Sequence, residues 1–237
     1  MPAVLVHGVP DTAEMWDPLL AELSRGDVVT LRLPGFGAPL PDGFGATKEE
    51  YVDWIADQLG VIGEPVDLVG HDWGSLLTQR VALTRPELLR TFTLSNGAIT
   101  DRFKWHDIAV QWQTPEVGEQ VMEAFSAELI APGLAEAGHP HAEKAAAAID
   151  DTMKRCILAL YRSATDLPGD WAVTGPAPRP GLVVWGTDDP VGPPASGQRF
   201  AEVAGARIVL LDGGHWAAVE HPKRSVAALE DFWASVG

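Results

Sequence analysis

Short, continuous apolar runs recur along the chain, each closing on Gly or Pro, with amphipathic stretches between them. AVLVHG (3–8), DVVTLRLPG (27–35), PVDLVG (65–70), TFTLSNG (91–97), GLVVWG (181–186) and ARIVLLDGG (206–214) read as strands. Their Val and Leu positions are continuous, which predicts burial on both faces, as in a parallel sheet. TKEEYVDWIADQLG (47–60) opens with a Thr-x-x-Glu capping box and predicts a helix ending at Gly60. SLLTQRVALTRPELL (75–89) predicts a helix stopped near Pro86, and HPKRSVAALEDFWASV (221–236) an amphipathic closing helix. Strand–helix alternation of this kind predicts an α/β fold with a doubly wound, mostly parallel sheet.

The pattern breaks between about Ala98 and Pro178. This stretch is rich in Ala, Glu and Gln, carries Trp105, Trp112 and Trp171, and ends in the hinge-like VTGPAPRPG. The expected division is a core of residues 1–97 and 179–237 with an inserted helical cap over residues 98–178. Trp105 and Trp112 stand seven residues apart, a spacing that would place both on one helix face.

Charge narrows the partners. The 237 residues hold 33 acidic and 17 basic side chains, a net charge of −16, with no basic cluster longer than a pair. Such a surface repels phosphate backbones and anionic lipid, so neither nucleic acid nor a membrane is expected as a partner. Cys156 is the sole cysteine, which excludes an internal disulfide and a cysteine-based metal cluster. The opening MPAVLVHGVP is too short an apolar run for a signal peptide or a membrane span, and a cytoplasmic location is expected. No metal or cofactor is expected. His139 and His141, in GHPHAE, lack accompanying ligands and predict a solvated loop.

Candidate chemistry centres on Gly70-His71-Asp72-Trp73-Gly74, which follows a strand and precedes a helix. Flanking glycines permit a sharp turn that holds the central side chain up at the carboxyl edge of the sheet. The Trp73 N–H then lies at a helix N-terminus, where it can stabilise negative charge. His215, in LLDGGHW, follows the last strand; Asp188 and Asp189, in VVWGTDDP, follow the strand before it. Nucleophile, acid and histidine therefore occur in that order, each on a loop after a strand.

These motifs resemble the α/β-hydrolase superfamily, specifically its branch with an aspartate nucleophile, the epoxide hydrolases and haloalkane dehalogenases. His7-Gly8-Val9-Pro10, the Asp-bearing turn, the Gly-x-x-Asp at 186–189 and the late Gly-His appear in the family's order over essentially the whole chain. The resemblance implies a triad of Asp72, His215 and Asp189, with Asp188 the nearby alternative, and an oxyanion hole from the Val9 and Trp73 amides. A carboxylate attacking a carbonyl would form a high-energy anhydride, whereas attack on an sp³ carbon bearing a leaving group forms an ordinary ester. The implied reaction is therefore ester formation on Asp72 followed by hydrolysis driven by His215.

Epoxide and halide substrates differ in how the leaving group is stabilised. The family's epoxide enzymes use cap tyrosines; here Tyr161 matches the second, while the region of the first offers Trp105, His106 and Trp112. Trp73 follows the nucleophile in both groups. The expectation is an epoxide hydrolase acting on a small apolar electrophile with water, with a haloalkane or haloacid dehalogenase as the alternative. An esterase or lactonase, or a non-catalytic binder, ranks below both. The family's usual pair of strands ahead of His-Gly-x-Pro has no counterpart, which would leave 28–33 as an edge. That edge predicts either a cover or a homodimer.

Overall fold

The computed structural model describes residues 1–236. Six strands form one sheet: β1 (Ala3–Val6), β2 (Val28–Leu31), β3 (Val66–His71), β4 (Leu89–Ser95), β5 (Gly181–Gly186) and β6 (Arg207–Leu211). Their order is β2-β1-β3-β4-β5-β6, and every pairing is parallel. The four inner strands are buried along almost their whole length, as their unbroken apolar runs require. β2 and β6 are edges and are only partly buried.

Around the sheet lie α1 (Asp17–Leu20), α2 (Lys48–Ile62) and α3 (Trp73–Thr84), then α4 (Asp107–Gln113), α5 (Val117–Ala124), α6 (Ala127–Glu136), α7 (Ala142–Ala147), α8 (Asp151–Arg162) and α9 (Leu167–Trp171). After β5 come α10 (Pro194–Ala204), α11 (Ala217–Glu220) and α12 (Pro222–Val236). Strand pleating divides the core. Val4 and Val6 face one cluster with α2, α3 and α10, while Ala3 and Leu5 face another with α1, α11 and α12. The six helices between β4 and β5 also divide, α4, α5, α8 and α9 joining the first cluster and α6 and α7 the second.

Several local expectations change. The Thr47–Glu50 capping box is present, but α2 continues through Gly60 to Ile62 and ends at Gly63, whose φ of 79° supplies the left-handed stop. One interior glycine costs roughly 1 kcal/mol, too little to end a helix packed along its face. Trp105 precedes α4 while Trp112 lies within it, so the two do not share a helix face. His139 is not solvated: it is buried, with Nε2 3.3 Å from Asp11 Oδ2. His141 is exposed. β2 pairs only with β1, and Val29 remains 41% exposed, so no strand covers this edge among the described residues. No described helix is long and apolar enough to cross a membrane.

Candidate active site

Backbone crowding fixes the turn between β3 and α3. A Cβ on Gly70 would lie 2.1 Å from the Gly74 carbonyl oxygen, and one on Gly74 2.3 Å from the Val6 oxygen. Only hydrogen fits at either position. Asp72, between them, takes φ 51° and ψ −121°, an uncommon conformation for a residue with a side chain. Its N–H is held by the Ser95 carbonyl at 3.0 Å. The strain is thus imposed by paired strands on both sides.

The turn brings Asp72, His215 and Asp189 together. Val9 N–H donates to Asp72 Oδ1 at 2.7 Å, and His215 Nε2 lies 3.5 Å from Asp72 Oδ2. His215 Nδ1 is 3.0 Å from each oxygen of Asp189. The Asp189 carboxylate is further held by the N–H groups of Val191 (2.8 Å) and Gly192 (3.2 Å) and by Asn96 Nδ2 (2.7 Å). Asp188 is exposed and engages Thr187 Oγ1, so Asp189 is the carboxylate on the histidine. The Trp73 amide opens α3 and makes no hydrogen bond to the Asp72 carboxylate among the described residues.

The charges reinforce one another. Burial opposes a proton on His215, but Asp189 and Asp72 outweigh it and push the imidazolium up to about 10. Burial likewise opposes ionisation of Asp189, yet His215 and Asn96 hold it below the usual carboxylate range. His215 therefore rests as an imidazolium between Asp72 and Asp189. His71 is also buried; desolvation and the neighbouring His215 hold it neutral, well below the ordinary histidine value.

A cavity of about 240 Å³ opens above Asp72. Tyr161, Trp105 and His106 line it together with Asn96 and Trp185, and Arg102 and Lys104 stand exposed at its mouth. Burial and the Asp72 charge raise the Tyr161 phenol well above 10, so it stays protonated. The Trp105 indole N–H is committed to the Ala164 carbonyl at 2.9 Å, and its ring stacks on Trp73 at 5.5 Å. It contributes a wall and no free donor. His106 Nδ1 accepts from Ala109 N–H, and burial keeps the ring neutral. Trp73 and Trp112 pack behind Tyr161, with ring centroids 5.2 and 4.8 Å from it, and do not line the cavity. Their buried indole N–H groups have no partner among the described residues.

Asn96 was not anticipated as a member of this site. It follows the last residue of β4 with φ 51°, and its only sequence signal is a polar residue before Gly97 at the same sheet edge as Asp72.

The model of the alpha/beta hydrolase family matches residues 3–229, and the chain belongs to that family, with its fold and hydrolase character. An (E)-2-((N-methylformamido)methylene)succinate hydrolase of Acinetobacter baylyi is 37% identical over 98 residues, 40% of this chain and 37% of that protein. A 2-hydroxy-6-oxo-2,4-heptadienoate hydrolase of Pseudomonas putida is 28% identical over 254 residues, covering 99% of this chain and 89% of that protein. Among solved structures, a haloalkane dehalogenase from Bradyrhizobium elkani superposes with a TM-score of 0.79 at 20% identity, over 99% of this chain and 90% of that one.

Proposed function

We propose that this hydrolase acts at a saturated electrophilic carbon through a covalent ester on Asp72, with epoxides as its substrate class and a vicinal diol as product. The carrying observation is that the side chain on the strained turn, facing His215 Nε2 at 3.5 Å, is a carboxylate and not a hydroxyl. Asp72 Oδ2 attacks the epoxide carbon and the C–O bond opens toward Tyr161. The released oxygen takes the Tyr161 phenolic proton, and the proton that His215 gives away afterwards restores the phenol. Esterification removes the Asp72 charge, one of the attractions holding that proton, so the imidazole becomes a base only after the ester exists. His215 then takes a proton from water as it attacks the Asp72 acyl carbon, which restores imidazolium and carboxylate. The Val9 amide, already on Oδ1, holds the oxyanion, and the Trp73 amide is the second donor. One such donor is worth about 3–4 kcal/mol.

Dehalogenation is the second reading, since an alkyl halide would form the same kind of ester on Asp72. The Trp73 indole N–H that could receive the halide, however, is buried behind Tyr161 and does not line the cavity. The commitment of the Trp105 N–H to Ala164 leaves that pocket short of a donor, which favours the phenol and hence the epoxide. Ester or lactone cleavage by Asp72 would require an anhydride. A mere binder would have no use for a charged Asp189–His215 pair.

The test is a panel of epoxides and haloalkanes, scored for diol and halide release, with intact mass measured on His215→Gln. An epoxide adds its full mass to Asp72; an alkyl halide adds its mass less hydrogen halide. Absence of product from both classes, with no adduct, would defeat the proposal.

A further inference from the structure

A second buried carboxylate stands behind the site. Asp11 directly follows the His7–Pro10 motif that carries the Val9 amide, and its side chain is 3% exposed. Three donors converge on it. Thr12 N–H reaches Oδ1 at 3.0 Å and the Trp216 indole N–H reaches Oδ2 at 2.9 Å. The third is His139 Nε2, 3.3 Å from Oδ2. His139 Nδ1 accepts from His141 N–H at 3.0 Å, so the ring proton sits on Nε2 and points to Asp11. An ionised carboxylate only accepts, and each of these neighbours only donates.

The network reaches His215 from two directions. Trp216 follows His215 in the chain, and its ring lies between those of His215 (4.9 Å) and His139 (4.8 Å). The His215 backbone N–H donates to the carbonyl of Ala137 at 2.9 Å, two residues before His139. The fit is close, since a Cβ on Gly214 would lie 2.3 Å from that carbonyl oxygen. The segment after α6 is thus seated on the histidine loop, and Asp11 ties that segment, the histidine loop and the oxyanion loop at one point.

We propose that Asp11 is a positioning residue which, through Trp216 and His139, holds His215 in register with Asp72 during ester hydrolysis, so that the second half-reaction depends on the docked α6–α7 segment. This rests on the ester mechanism above. The Asp72 backbone is set by β3 and α3, which the network does not touch. Apart from His215, the network reaches Asp72 only at the Val9 amide, which holds Oδ1 and not the attacking Oδ2. Ester formation should therefore be far less sensitive than ester hydrolysis.

Single-turnover kinetics with quenched mass analysis separate the two steps. Asp11→Asn keeps the shape but sets an amide N–H₂ against a donor; it should slow hydrolysis at least about tenfold, with ester accumulating and its formation changed less than about threefold. His139→Phe should behave alike, and His139→Gln, which keeps a donor, should recover most of the rate. Trp216→Phe tests the same arm if Asp11→Asn fails to fold. Equal slowing of both steps, or no slowing of hydrolysis, in the folded variants would overturn the positioning role. Failure of the underlying mechanism shows separately, as absence of any ester in His215→Gln.

Discussion

The strand-end loops and the helical insert build the two walls of one cavity by opposite means. On the core side, geometry is dictated by backbone: Gly70 and Gly74 have no room for a methyl, Asp72 is held at φ 51°, and every oxygen of Asp189 has partners. On the side of the helices between β4 and β5, rings pack on rings, and the indole N–H of Trp112 is buried with no partner among the described residues. The turn that carries the proposed nucleophile tolerates almost nothing, whereas the aromatic wall across the cavity can be repacked. On the proposed mechanism, chemistry is fixed in one place and selectivity is left adjustable in the other.

The sharpest test of that contrast is Asp72→Asn, which should lower turnover at least about 10³-fold while leaving the melting temperature nearly unchanged. Next, Gly74→Ala should destabilise by about 2–3 kcal/mol, read in a denaturant titration, because its Cβ meets backbone that two strands hold in place. Asn96→Ala removes a donor from a buried carboxylate and should cost about tenfold in kcat with little change in KM. The proton on His215 gives a pH signature. Its folded value, raised to about 10, lies above the ordinary 6.5, so its contribution to stability is complete below 6.5 and is lost as pH rises through about 10. Imidazole NMR of Asp72→Asn should place His215 below the wild-type value. Trp112→Phe should do least, within about 1 kcal/mol of wild type, since the N–H it removes has no partner among the described residues. A large loss there would mean that the insert wall is as constrained as the turn.

What the sequence disclosed divides along the same line. All six strands and the elbow were legible because continuous apolar runs and paired glycines are local signals. The motif order also placed His215 and Asp189 on loops after neighbouring strands. Which of Asp188 and Asp189 faces His215 needed coordinates, since either side chain could have turned inward. Asn96, Asp11 and His139 were illegible for a different reason: their partners lie 93, 205 and 128 positions away, and no periodicity encodes such contacts. The aromatics Trp73, Trp105, His106 and Trp112 were expected with Tyr161 at the leaving group, but the committed N–H of Trp105 and the recessed positions of Trp73 and Trp112 depend on packing alone.

The bare flank of β2 has a consequence for assembly. The reacting groups sit at the strand tips, whereas Val29 and its neighbours present unpaired amides along the side of the sheet. A second copy could join there and widen the sheet without approaching the cavity. Quaternary structure and turnover would then be genetically separable, and a lysine at position 29 would dissolve such a pairing while sparing the rate.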